Sequence, residues 1–325
     1  MTQSKGLIFG VGIDVATASQ SSEKPSRQFW TELTKPFDDE FAFLTLEDGF
    51  ANKNDDGLDA ILLANWLAPR LTNIGIIAGA AVNFLEPFHV STAIATLDYV
   101  SEGRAGILVQ NLAKERNIEA SEALGVLNGY PSLDQKALDR DAQDAIEVIR
   151  RLWDSWEDDA VIRDKKTQRF LDASKLHYIK FESDNFRVLG PSITPRPPQG
   201  QPVVATTITS HEDVASVRSA DVVFVSVSGP LFKAIGETAP VVVGDIELSE
   251  VRNVERVIET IRQSEALGAK GIRLVLSDPQ SQSDFVLNEL LPALHAQNLI
   301  RKAEGTTLRA RFGLPEAINR YSTAA

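Results

Sequence analysis

Short runs that are almost wholly apolar alternate along the chain with longer stretches in which apolar residues return every three or four positions. The runs LIFGVGI (7–13), FAFLTL (41–46), IGIIAGA (74–80), AGILVQ (105–110), PVVAT (202–206), DVVFVSV (221–227), PVVVGDI (240–246) and GIRLVL (271–276) read as strands. Continuously apolar strands, without an inward/outward alternation of polarity, suit a parallel sheet covered on both faces. Between them, LDAILLANWLAP (58–69), FHVSTAIATLDYVS (88–101), QKALDRDAQDAIEVIRRLWDSW (135–156), VERVIETIRQSEALG (254–268) and DFVLNELLPALHAQ (284–297) carry a helical period. A doubly wound open sheet would share this alternation. Eight strands with intervening helices instead count out to a (β/α)₈ TIM barrel, the expected α/β fold.

One segment breaks the rhythm. Between 157 and 201 the chain is first charged and then reads HYIKFESDNFRVLGPSITPRPPQG. HYIKFESDNFRVLG predicts a small hairpin turning at SDN. The prolines that follow can join neither a ladder nor a helix and predict an extended surface arm. The expectation is therefore one barrel domain over 1–325, with an insertion at about 157–201 between the fourth and fifth barrel strands. A C-terminal arm at about 304–325 is expected to pack outside the barrel.

Composition narrows the chemistry. Hydrophobic residues make up 43% and charged residues 24%, the balance of a globular protein. A net charge of −12 argues against nucleic acid or an anionic membrane as partner, since either would want a basic face. The absence of cysteine removes disulfides, thiolate catalysis and Cys-ligated metal sites. The N-terminal apolar run is short and broken by glycines, unlike a secretion signal, and no run approaches a membrane span, so the expected address is the cytoplasm.

Several segments, taken together, resemble the bacterial luciferase-like superfamily of flavin-dependent monooxygenases, in its nitrilotriacetate and dibenzothiophene-sulfone monooxygenase branch. The matching stretches are LEDGF (46–50), NWLAPRLTNIGI (65–76), EPFHVSTAIATLDYVSEGRAG (86–106), LWDSWEDDAVIRD (152–164), GPSITPRPPQGQPVV (190–204) and RFGLPEAINRY near the C-terminus. The resemblance implies a TIM barrel, expected as a homodimer. It also implies use of reduced FMN from a separate flavin reductase to transfer one oxygen of O₂ to a small organic substrate. Some relatives use the deazaflavin F420; reduced FMN is the expectation here.

Active sites of such barrels lie at the C-terminal ends of the strands, and the opposite face carries stability. SEGR, LTNIG, LWDSW and PRPPQGQPVV all flank strand starts, so they read as scaffold. Gly103 suits a left-handed helix stop, and Arg104 is placed to bond exposed carbonyls or a nearby carboxylate. At the strand ends the candidates are Asp14, Glu47, Asp48, residues 80–83, Gln110, Asn111, residues 206–210, Ser226, Ser228, Asp245, Ser277 and Asp278. Within this set the resemblance implies that Asp48, Ala81, Asn83, Gln110, Asn111, Thr206, Thr207 and Ser210 meet the flavin. Asp48 matches the family's acidic residue after strand two, and 81–83 the segment that lies along the ring.

Other positions depart from the family. Its strand-four asparagine and threonine are Leu108 and Asn111 here. Its His-x-x-x-Tyr pair at the head of the long helix falls on Gln135 and Asp139, and Ile208 stands in place of a phosphate-loop glycine. A glutamine can hydrogen-bond but cannot donate a proton as histidine does, and Asp139 would repel a phosphate. Catalytic residues are therefore unassigned, and two functions stay open. One is a monooxygenase with rearranged flavin contacts; the other is a non-catalytic or weakly flavin-binding barrel acting as a binding or subunit-partner protein.

Weaker constellations stand beside these. Gly10-Val11-Gly12 opens like a dinucleotide fingerprint but has Val15 where the third glycine belongs, so tight packing is the better reading. His89, His177, His211 and His295 show no metal-ligand spacing, and no metal is expected; His89 reads as a surface or capping residue, and His211 lies nearest the expected mouth. Carboxylates at Asp14, Glu47, Asp48 and Asp245 could support glycoside-type acid–base chemistry, or form structural ion pairs. Trp153 and Trp156 read as core.

Overall fold

In the computed structural model, residues 6–16, 26–48, 57–110, 122, 125, 134–210, 218–227, 231–235, 241–248 and 252–322 are described. In chain order the strands are β1 (Ile8–Asp14), β2 (Phe43–Glu47), β3 (Gly75–Ala80) and β4 (Ala105–Val109). Next come the short β5 (Val161–Asp164), β6 (Arg169–Leu171), β7 (Phe181–Glu182) and β8 (Arg187–Val188). The last four are β9 (Val203–Ile208), β10 (Val222–Ser226), β11 (Val241–Leu248) and β12 (Gly271–Leu276). β1–β4 and β9–β12 close a parallel barrel in the order β1-β12-β11-β10-β9-β4-β3-β2. The expected TIM barrel is thus present, with each predicted strand in place to within one or two residues.

The strands are apolar throughout because both of their faces are buried. Phe9, Val11, Leu44, Ile76, Ile107, Ile272 and Leu274 point outward into the layer of helices. Alternate residues, among them Ile8, Phe43, Ile77, Leu108, Ala205, Phe224 and Val243, fill the lumen. Gly10 and Gly12 lie on the lumen side of β1, in register with Arg273 and Val275 of β12. A Cβ on Gly10 would stand 2.2 Å from the Phe43 ring. The glycine pair thus makes room for packing.

Helix α1 (Arg27–Thr34) follows β1 and has no counterpart among the helices predicted from the sequence; Ser26 caps it by accepting from Phe29 N. α2 (Ala60–Leu67) follows β2, and α3 (Pro87–Val100) follows β3. Glu86 caps α3, accepting from Phe88 N and His89 N, with proline at the first helical position, and His89 itself is exposed. Glu102 and Gly103 then turn left-handed (φ 56° and 83°), ending α3 ahead of β4. The long α4 (Gln135–Asp154) buries Leu138, Ala142, Ala145, Ile149 and Trp153. α5 (Leu231–Ile235), α6 (Val254–Ala266), α7 (Pro279–Phe285), a π-turn (Val286–Leu290) and α8 (Leu291–Ala296) complete the outer layer. The last predicted helix therefore starts five residues earlier than its apolar pattern suggests, because Asp278 caps it ahead of Pro279.

The predicted hairpin is β7–β8, closed at Ser183 by Phe186 O. A second one, β5–β6, precedes it. The C-terminal segment differs from expectation. Instead of lying outside the barrel, Leu308 and Phe312 of α9 (Leu308–Arg311) and its C-cap enter the lumen's N-terminal end, joining Phe43 and Ile77. The Phe43 and Phe312 ring centroids are 5.1 Å apart.

The scaffold motifs meet at this same end. Asp38 accepts from the backbone N–H groups of Thr72, Asn73 and Ile74 in LTNIG. Arg104 donates to Ile74 O (2.6 Å) and Leu71 O (2.9 Å). Asp154 of LWDSW accepts from Arg196 of the proline-rich segment and from Arg320 of INRY. Trp153 and Trp156 are buried, donating to Ser91 O and Ser192 O. Among the described residues no helix is long and apolar enough to cross a membrane.

Candidate active site

At the C-terminal end of the barrel the lumen changes from apolar to charged. Arg273, on the inward face of β12, is 2% exposed, and its guanidinium lies 4.1 Å above the centre of the Phe224 ring. Nε and Nη2 hold the two oxygens of Asp245 at 2.8 and 2.6 Å. Nη1 reaches Glu47 Oε1 at 2.8 Å and Thr45 Oγ1 at 3.2 Å, and Nη2 also reaches Thr207 Oγ1 at 3.2 Å. Strands β2, β9, β11 and β12 are thereby tied across the barrel by one side chain. Burial pulls this guanidinium down, but Asp245 and Glu47 outweigh it and hold Arg273 above the ordinary arginine value. Sequence reading found both carboxylates and missed the arginine between them. The signal was a single charge in the apolar GIRLVL, at the inward parity.

Asp14 lies beside Glu47 in the β1–β2 register, with Oδ1 accepting from Ala16 N at 2.8 Å. Asp48 Oδ2 accepts from Ala60 N at the head of α2, while Asp48 N donates to Gln110 Oε1 at 2.9 Å. Gln110 crosses over Gly79, where a Cβ would stand 2.4 Å from Oε1. Ala81 is buried. Asn83 is also buried, donating to Leu138 O at 2.8 Å and Asp141 Oδ2 at 3.0 Å on α4. Asn185, from the turn between β7 and β8, donates to the other oxygen of Asp141. The insertion therefore reaches the loop after β3.

After β4 the structure separates the other candidates. Thr206 is turned outward, donating to Val109 O at 3.3 Å, whereas Thr207 faces the lumen and Arg273. Thr209 and Ser210 are exposed just beyond β9. Gln135 Nε2 donates to Asp139 Oδ1 at 3.0 Å, so the two residues expected at the family's His and Tyr positions face each other at the head of α4. Ser277 lies at the β12 end, and Asp278 caps α7. Asn111, His211 and Ser228 lie outside the described residues. Beside Asp245 a cleft of about 360 Å³ opens, lined by Ser226, Glu247, Arg252, Arg256 and Phe285 among others. Among the described residues this end thus offers apolar walls, the Gln110 amide, the Thr45 and Thr207 hydroxyls and the carboxyls of Asp14, Glu47 and Asp245 around the buried Arg273.

Residues 41–238 match the family described as luciferase-like monooxygenase. N-acetyl-S-(2-succino)cysteine monooxygenase of Bacillus subtilis (strain 168) is 37% identical over 163 residues, 50% of this chain and 36% of that protein. Nitrilotriacetate monooxygenase component A of Aminobacter aminovorans is 30% identical over 245 residues, 67% of this chain and 52% of that protein. The chain therefore spans about a third to a half of these relatives' length. The crystal structure of a riboflavin lyase with modified FMN and riboflavin shares the fold, with a TM-score of 0.77 at 19% identity over 95% of this chain and 96% of that one. With the barrel closed in the expected order and the family matched from β2 to beyond β10, the chain belongs to the luciferase-like monooxygenases.

Proposed function

We propose that the chain is the oxygenating component of a flavin-dependent monooxygenase in the cytoplasm. In this reading it works as a homodimer, takes reduced FMN from a separate flavin reductase and transfers one oxygen of O₂ to a small organic substrate. The observation that carries this reading is the polar mouth on a barrel of this family, above a lumen sealed by Arg273 and apolar side chains. The names of the relatives support the reaction class, and "component A" supports a second protein that completes the system.

The donor set fits a flavin. Ala81 backs the apolar wall, and Gln110 and Thr207 are the amide and hydroxyl suited to the pyrimidine edge. Thr209 and Ser210 offer hydroxyls to a phosphate. Asp48, Asn83 and Thr206 contribute by fixing the loops that carry these groups. The bound flavin supplies the electrons that activate oxygen. The chain binds and orients it, and the apolar lumen beneath the mouth keeps bulk water from reaching the reacting atoms from below. FMN is preferred to F420 because the relatives matched by sequence are named monooxygenases.

Titration with FMN and with photoreduced FMN tests this. Saturable binding of the reduced form, followed by oxygen-dependent turnover when a reductase is added, is the expected result. No binding of either form at tens of micromolar would overturn it. The mutual Gln135–Asp139 contact favours a second reading, a flavin-binding barrel without turnover. Tight reduced-flavin binding with uncatalysed flavin oxidation would select that one.

A further inference from the structure

Arg273 has no donor left over. A guanidinium carries five N–H groups, and Asp245, Glu47, Thr45 and Thr207 engage all of them. Its fork matches Asp245 at both oxygens, the geometry of a complete ion pair. Glu47 arrives as a second carboxylate on a cation already matched, and Asp14 stands next to Glu47 in the strand register. Asp245 and Glu47 thus share one guanidinium where the medium is poorly polarisable, and a proton on one of them relieves the surplus charge.

Glu47 is the one placed to hold that proton. Asp245 accepts two charge-assisted bonds and is 10% exposed at its side chain, whereas Asp14 Oδ1 accepts a backbone N–H. Glu47 is gripped through Oε1 alone. Its side chain is 29% exposed, and Oε2 has no hydrogen-bond partner among the described residues. Burial pushes the Glu47 carboxyl up; Arg273 pulls it back, and Asp245 and Asp14 push it up again, leaving it above the ordinary glutamate value.

We propose that Glu47 is the proton carrier of the mouth, with Arg273 as the positioning residue that fixes Oε1 and leaves Oε2 to the reactants. The inference rests on the monooxygenase reading and supplies the proton donor that Gln135 and Asp139 lack. In the step, the Oε2–H bond breaks and an O–H bond forms on an anionic oxygen of the bound reactants, which becomes neutral. The Glu47 carboxylate remains paired with Arg273 and is reprotonated by hydronium from bulk solvent, which leaves water. No electron moves in this step.

Glu47→Gln keeps a carbonyl for Arg273 and removes the transferable proton. Infrared difference spectra of the protein without cofactor should show a protonated-carboxyl band at neutral pH that Glu47→Gln lacks. Turnover of Glu47→Gln should fall by ~100-fold or more, the usual share of a positioned acid, with reduced-FMN affinity unchanged within about threefold; Glu47→Asp should recover part of the turnover. If wild type turns over and the band persists in Glu47→Gln, or if Glu47→Gln turns over like wild type, the assignment to Glu47 is wrong. A wild type that neither binds nor oxidises reduced flavin overturns the monooxygenase reading and the proton delivery with it.

Discussion

Asp38 and Asp98 are both fully buried carboxyls near the starts of barrel strands, yet burial acts on them with different results. At Asp38, burial pushes the carboxyl up, but the Lys35 ammonium and the N–H groups of Thr72, Ile74 and Asn73 overcome it and hold it well below the usual range. Its folded value is depressed, so its contribution is present above the unfolded carboxylate value and is lost as pH falls toward the folded one. Asp98 accepts from Gln199 N, Gln199 Nε2 and Ala105 N. There burial prevails over these donors and pushes it up to about 6. The sign reverses: the contribution is full below the unfolded value and is lost as pH rises through about 6, by about 3 kcal/mol between the limits. Urea unfolding across pH 4 to 7, roughly the window set by these values, should show that slope in wild type and lose it in Asp98→Asn. An unchanged slope would mean Asp98 stays ionised. The sequence shows such residues unevenly. Glu47 is readable because it ends an apolar strand, and Asp245 because it follows directly on the apolar run PVVVG. Asp38 and Asp98 are not, because the partners that bury them, Thr72 to Ile74 and Gln199, lie tens of residues or more away.

Among the elements, β1 was the most easily misread. GVG begins like a nucleotide-binding turn, and only the closed barrel shows Gly10 against the Phe43 ring. Gly10→Ala should therefore destabilise the fold by about 1–3 kcal/mol through overpacking, and Phe43→Leu in the same chain should return part of that loss. A double-mutant cycle by urea unfolding measures the coupling, and additive effects would show that the two positions do not share this space. The C-terminal segment is the opposite case: its few apolar residues give no period, so the sequence suggests an external arm. Leu308 and Phe312 nevertheless close the lumen, because strands tilted around a barrel leave an apolar hole at the end that lacks the site. The barrel strands were legible from their continuous apolarity. The β5–β6 hairpin was not, since its four- and three-residue strands are largely exposed and carry little pattern.

For the whole molecule, the sequence segments that most strongly indicate the family and the groups that would perform its chemistry lie at opposite ends of one barrel. Arg196 shows how much the stability end holds together. It bonds Asp154 at the end of α4, Asp158 at 2.9 Å, and Ala317 O in the C-terminal segment at 2.8 Å, while Tyr99 donates to its carbonyl. Arg196 and Asp154 are nearly buried, with side chains 7% and 4% exposed, so removing the cation leaves a buried carboxylate with Arg320 as its remaining ion partner. Arg196→Ala should cost about 3–5 kcal/mol, partly offset by Arg320, while reduced-FMN affinity per folded molecule stays within about twofold. Ser210→Ala, at the exposed end of β9, should do the reverse: stability changes by less than about 0.5 kcal/mol, and affinity falls as a phosphate donor is lost. Parallel urea unfolding and flavin titration of the two variants measure both effects. Because the strands run parallel, every strand start lies at one end of the barrel and every strand end at the other, which is what lets stability and binding be altered separately. Loss of flavin affinity in folded Arg196→Ala would show that the scaffold end also shapes the mouth through α4, on which Leu138 and Asp141 hold Asn83.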